Sequence, residues 1–143
     1  MADAKFNQFE QDVIAYIFNN TTCAIFPTTG TQSMSIQLHT ASPGETGDIA
    51  TNEATYSGYA RVGIERSSSG WTVASGTAKP AATITFPQCN GATTNLITHF
   101  SIGTSTVAAS TARSLYYGAT DVSISVSNGV TPRLTTATAI SEL

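Results

Sequence analysis

The chain has 143 residues, 41% of them apolar and only 10% charged, and it carries a formal net charge of −3. Such a length suits one domain with a core of its own, and the apolar share excludes a wholly disordered chain. The six Lys and Arg are scattered at Lys5, Arg61, Arg66, Lys79, Arg113 and Arg133, so the clustered cations that a phosphate backbone demands are missing and nucleic acid is excluded as a principal partner.

Residues 4–18 predict an amphipathic helix. Phe6, Phe9, Val13, Tyr16 and Ile17 recur at spacings of three and four, which places them on one stripe. Asp3 is a candidate N-cap, and Asn19-Asn20-Thr21-Thr22 is a stop signal. A helix this short is marginal alone in water, so the stripe is expected to dock on the β part or on another subunit. Asp3, Glu10 and Asp12 replace the basic start of a signal peptide, and the sequons at Asn19 and Asn20 matter only in a secreted chain. No apolar run approaches the roughly 20 residues that span a bilayer, so no membrane partner is expected.

After Thr22 the period changes to two. Met34, Ile36 and Leu38 alternate with Ser35, Gln37 and His39 in a half-buried strand. A loop over 41–58, rich in Ser, Pro, Gly, Thr and Asn, follows; with the 21–33 loop it is long enough to predict ordering by a neighbour. Ala60, Val62 and Ile64 form the next alternating run. Ser67-Ser68-Ser69-Gly70 then reads as a turn, with Trp71-Thr72-Val73 returning as the second arm of a hairpin. Further strands are expected at Ala82 to Phe86, Leu96 to Gly103, Leu115 to Tyr117, Val122 to Val126 and Arg133 to Thr136. Gly118-Ala119 and Asn128-Gly129 serve as breaks, and Ala139 to Leu143 as an edge strand. Short strands at this spacing predict a mostly β fold, an antiparallel sandwich or barrel, of which a sandwich with jelly-roll connections is the expectation adopted. Residues 1–20 would be its N-terminal helix and 21–143 its β-sandwich, within one domain overall. The expected core is Ile36, Leu38, Val62, Ile64, Ile84, Phe86, Ile102, Val122 and Ile124.

Catalytic signatures are absent from the pattern. The chain has only two histidines, His39 and His99, too few for a metal site without converging Cys or carboxylates, so both are expected to bond to neighbouring backbone. Ser101 lies two residues from His99 on one strand face, which allows a contact but supplies no orienting third group. Asp48, Asn52 and Glu53 lack the rhythm of a calcium loop. Glu53 and Glu65 suggest a glycosidase pair only loosely, with Tyr56, Tyr59 and Trp71 read as core or interface rings. Cys23 and Cys89 are expected to be separate thiols. No catalytic, cofactor-binding or metal residue is therefore assigned, no cofactor is expected, and the chain is read as a non-enzyme.

Several segments taken in order carry a resemblance. They are the helix Phe6 to Phe18, the stretch from Ile36 through His39-Thr40-Ala41-Ser42-Pro43-Gly44, Glu53, and Gly58-Tyr59-Ala60-Arg61-Val62. Then come Trp71-Thr72, Ala82 to Pro87 and Ile97 to Gly103. This order resembles a family of small tailed-bacteriophage virion proteins labelled tail fibre proteins or capsid cement (decoration) proteins. The Thr-rich stretch from Thr21 to Ser33 departs from that pattern. The resemblance implies a virion structural protein assembled in the host cytoplasm, with Arg61 fixing a loop or pairing with an acid such as Glu53. The leading expectation is a cement protein, with the major capsid protein and copies of itself as partners, reinforcing the head by buried area. The alternative is a tail or tail-fibre component that binds a host surface. A cell-wall hydrolase is disfavoured by the missing acid–base set.

Overall fold

The computed structural model describes residues 2–7, 9–10, 33–75, 77–104 and 113–141. Among them ten strands form: β1 (Ala2–Lys5), β2 (Ser33–His39), β3 (Val62–Glu65), β4 (Trp71–Ala74), β5 (Thr77–Pro80), β6 (Ile84–Thr85), β7 (Asn95–Gly103), β8 (Ser114–Val126), β9 (Arg133–Leu134) and β10 (Ile140–Ser141). The chain is mostly β, and every strand pair is antiparallel except β1 with β10. The strands are divided eight and two, not between the two comparable sheets expected of a jelly roll. The large sheet runs β3-β2-β7-β8-β1-β10-β5-β4, and β6 pairs β9 in a separate ribbon.

This order forces the large sheet to curl. β3 and β4 are its two outer strands, yet only residues 66–70 separate them. Laid flat, seven inter-strand steps of about 4.8 Å would part the edges by about 34 Å. The six residue steps from Glu65 to Trp71 reach at most about 21 Å. The sheet must fold towards itself, and side chains from its two halves do meet. Met34, Ile102 and Tyr116 of one half line the same cleft as Trp71, Ala78 and Ile140 of the other. The hairpin expected around Ser67 to Gly70 is therefore a turn between sheet edges that do not pair with each other. Gly70 is required there, because a Cβ would stand 2.1 Å from the Glu65 carbonyl oxygen.

The N-terminus departs most from expectation. Ala2–Lys5 is a strand between β8 and β10, so the helix does not begin at residue 4 and Asp3 is no N-cap. Asn7, Phe9 and Glu10 are helical, and the amides of Phe9 and Glu10 donate to the Phe6 carbonyl at 2.9 and 3.2 Å. Val13, Tyr16 and Ile17 lie outside the described residues, as do the sequons at Asn19 and Asn20 and the 21–32 stretch with Cys23. The first two members of the apolar stripe dock on the chain's own sheet. Phe6 packs its ring 4.9 Å from that of Tyr117, and Phe9 lies 5.2 Å from Tyr116.

β8 runs through the break expected at Gly118-Ala119. Gly118 pairs with Phe100 on one side and Ala2 on the other, so this glycine marks strand against strand and not a turn. The irregularity comes just after it. Ile97 pairs with Ile124 and His99 with Ala119, so residues 120–123 of β8 stand opposite Thr98 alone. This wide bulge carries Val122 out to 77% exposure and removes it from the expected core. β10 is likewise not an edge but an interior strand between β1 and β5. Asn128-Gly129 does turn, with Gly129 at φ +88°.

The core holds Ile36, Leu38, Ile84, Phe86 and Ile102 as expected, together with Tyr56, Ile97, Phe100, Val126 and Leu134. Val62, Ile64 and Ile124 pack against it half-buried. The 41–58 loop is not held out for a neighbour. Ile49, Ala54 and Tyr56 are buried, and the Ile49 amide donates to Ser114 Oγ at 3.0 Å.

Candidate functional site

Alternation on β2 puts Ile36 and Leu38 into the apolar core and Ser35, Gln37 and His39 on the opposite face. That face reads as solvent-facing in the sequence, but the 41–58 loop covers it and all three side chains are 0% exposed. Buried polar groups must find partners, and here they find each other. One end of the Gln37 amide bonds to Ser35 Oγ, and the other lies 2.9 Å from Ser101 Oγ on β7, which is itself 2.7 Å from His39 Nε2. His39 Nδ1 lies 2.8 Å from the Thr51 carbonyl in the loop.

Proton counting fixes the roles. A carbonyl only accepts, so Nδ1 carries a proton and donates to Thr51. The Ser101 hydroxyl has one proton and faces both Gln37 Oε1 and Nε2. If it donates to Gln37, then Nε2 must also be protonated and the ring charged. Burial holds the His39 pKa below its ordinary value of 6.5, outweighing the Thr51 bond and the nearby Glu53 carboxylate, which raise it. The neutral ring accepts from Ser101, and the Gln37 amide then turns its NH2 towards Ser101.

A hydroxyl on a neutral imidazole whose second nitrogen is oriented resembles a nucleophile with its base. Ser101 and His39 are both 0% exposed, so no substrate carbonyl reaches them in this structure. The expected neighbour of Ser101 was His99. Instead His99 pairs in register with His39, and its Nδ1 lies 2.8 Å from Thr98 Oγ1, a side chain and not backbone.

The acidic candidates are committed to structure. Asp48 Oδ1 accepts from the amides of Ala50 and Thr51 at 2.8 and 3.0 Å, closing a turn. Asn52 sits at φ +56° and donates through Nδ2 to the Ser42 carbonyl at 2.9 Å. Glu53 receives both ends of the Arg61 fork, Nε to Oε1 and Nη2 to Oε2, each at 2.7 Å. Tyr59 donates to Glu53 Oε1 at 2.9 Å and accepts from the Leu38 amide at 3.2 Å. The bond to Glu53 holds the Arg61 guanidinium above its ordinary pKa, and burial followed by the Glu53 charge raises that of Tyr59. The pairing of Arg61 with Glu53 is one of the two roles for Arg61 that the family resemblance implied. Glu65 instead accepts from Ser69 Oγ at 3.1 Å in the β3–β4 turn. Tyr56 is core; burial pushes its hydroxyl up to about 12, and it donates to the Pro87 carbonyl at 2.9 Å. Cys89 is a buried free thiol. Among the described residues no group of three or more His, Cys, Asp or Glu converges.

Among the described residues, concavities that open to the surface include a larger and a smaller one. The larger, of about 500 Å³, is the apolar cleft inside the curl, where Trp71 and Val73 meet Met34 and Tyr116 and where Arg66, Ser67 and Ser68 add polar groups. The smaller, about 240 Å³, lies between the β8 bulge and residues 133–138 and is lined by both polar and apolar side chains. Sequence reasoning missed both, because the cleft joins strands far apart in the chain and the groove depends on a register shift in β8.

No curated protein matches the chain. Residues 5–140 match the family model described as Podophage GP4 fiber I protein gp80, which covers nearly all the strands above. The chain therefore belongs to this podophage fibre protein family and is a structural protein of the tailed-phage virion.

Proposed function

We propose that the chain is a component of the tail fibre that contributes to attachment at the host surface, acting by binding and without turnover. The observation that carries this reading is the family match over residues 5–140, whose description is that of a fibre. That description favours the tail-fibre alternative over the capsid-cement role expected first. One structural observation supports binding over chemistry. The Ser101–His39 pair and the Glu53 carboxylate are used in holding the 41–58 loop and the Tyr59–Arg61 segment to β2, while the concavities open elsewhere. The surface is also poor in charge, which leaves little repulsion between copies packed side by side in a fibre.

The test is adsorption. Antibody fragments raised against the purified chain should bind intact virions and block their attachment to host cells. Fragments that bind virions yet leave attachment unchanged would defeat the proposal.

A further inference from the structure

We propose that Asn90 is a site of spontaneous covalent modification, losing its side-chain amide through attack by the Gly91 nitrogen, whereas Asn128, in the other Asn-Gly pair of the chain, is protected by the fold. The reaction is fastest where the residue after Asn has no side chain to hinder the attack, and glycine supplies that at both positions. The Gly91 nitrogen loses its proton to solvent base and bonds to Asn90 Cγ, closing a cyclic imide. The Cγ–Nδ2 bond breaks, and Nδ2 takes up a proton and leaves as ammonia. Water then adds to either imide carbonyl. Opening the bond from nitrogen to Cγ leaves an aspartate at position 90. Opening the bond from nitrogen to the main-chain carbonyl leaves an isoaspartate, whose main chain runs through Cβ and Cγ. Water is the co-reactant, and nothing is oxidised or reduced.

The fold separates the two sites. Both asparagines are exposed, so access of water does not distinguish them. The attacking nitrogen does. The Gly129 amide donates to the Cys89 carbonyl at 2.7 Å, and the Val130 amide closes the turn around it on the Ser127 carbonyl at 2.9 Å. A nitrogen held in this way must give up its bond before it can lose its proton and reach Cγ, just as an amide protected from hydrogen exchange must first open. Among the described residues the Gly91 amide makes no hydrogen bond, and neither does the Asn90 side chain. No bond has to break before these two groups react.

The product lands in a packed place. Asn90 Oδ1 lies 3.1 Å from where a Cβ on Gly58 would stand, and a Cβ on Gly91 would meet Ser57 Oγ at 2.7 Å. The Asn90 amide also donates to the Ser57 carbonyl at 3.0 Å. Deamidation adds one negative charge to the formal net charge of −3. Isoaspartate also inserts an extra main-chain atom between Cys89 and Gly91, against the 57–58 segment. The reaction is set by the fold and does not depend on where the chain sits in the virion.

The experiment ages the purified full chain in warm, mildly alkaline buffer, both folded and in urea. Digestion at acidic pH and mass spectrometry then follow the two Asn-Gly peptides. In the folded chain the Asn90 peptide should convert at least about fivefold faster than the Asn128 peptide, the factor that one net hydrogen bond sets. In urea the two should convert at similar rates, because the fold no longer distinguishes them. Asn90→Gln, at an exposed position and so expected to stay folded, should lose most of the acidic species that isoelectric focusing shows in the aged chain. Equal rates in the folded chain, faster loss at Asn128, or a rate ratio in urea as large as in the folded chain would overturn the proposal. An acidic species undiminished in Asn90→Gln would do the same.

Discussion

His39 ties the covering loop to the sheet, and burial disfavours the charged form of its ring. In the unfolded chain it takes up a proton near its ordinary value of 6.5, whereas the folded site resists that proton. The unfolded state therefore binds more protons below about pH 6.5, and stability falls as pH drops through that range. We expect the urea midpoint to decline between about pH 7.5 and about pH 5, and His39→Gln to flatten that slope. His99, also lowered by burial but only half-buried, should leave most of the slope in place when changed to Gln. An unchanged slope in His39→Gln would contradict the neutral-ring assignment. The Glu53–Arg61 fork gives a second expectation. Its side chains are 15% and 13% exposed, so water screens them in part. Arg61→Met strands the carboxylate beside Tyr59 and should cost about 2 kcal/mol, less than the about 3–5 kcal/mol of a fully buried pair. Glu53→Gln with Arg61→Met together should cost less than the sum of the single changes, measured by a denaturation cycle.

At the scale of elements, the strands at residues 36–38 and 62–64 were legible because their apolar residues alternate onto the core side, and those at 71–73 and 96–103 from their flanking turns, although Val73 is 73% exposed and residues 100–103 are all buried. β8 was read as two strands because Gly118 signals a turn when only the sequence is seen. Its reason is the close approach of flanking strands, which no local pattern records. β1 was hidden under a helical stripe. Ala2–Lys5 has no alternation, and Phe6 and Phe9 fit a strand end and a helical turn as well as a longer helix. The polar members of β2 were assigned to solvent for a related reason. Alternation shows that two faces differ, not that a loop lies over one of them. The 66–70 turn carries the sharpest expectation here, because it joins sheet edges that do not support it by pairing. Gly70→Ala drives a methyl into the Glu65 carbonyl and should cost about 2 kcal/mol in chemical denaturation, whereas Gly129→Ala, with nothing within 4 Å, bears only the cost of its positive φ. Equal costs would show that the 66–70 turn is not a point of tight packing.

For the whole molecule, the β class and much of the core followed from local pattern, and the topology did not. A sheet whose first and last strands are β3 and β4 depends on pairings between residues as distant as Ala2 and Ile140. The groove and the cleft share that origin. The groove depends on a register shift in β8 meeting β9, and the apolar cleft on the curl. The Glu53–Arg61 pairing was one of two roles that the family resemblance implied for Arg61, and the structure shows it as a two-pronged fork. What the chain does in the virion depends on where it sits, and the family match places the weight on the fibre. The most direct measurement is an electron cryomicroscopy reconstruction of the intact virion into which the curled eight-stranded sheet is fitted. The account predicts density for this chain on the tail, in the fibre that faces the host. Density for it on the capsid lattice, with none on the tail, would contradict the account and restore the cement role.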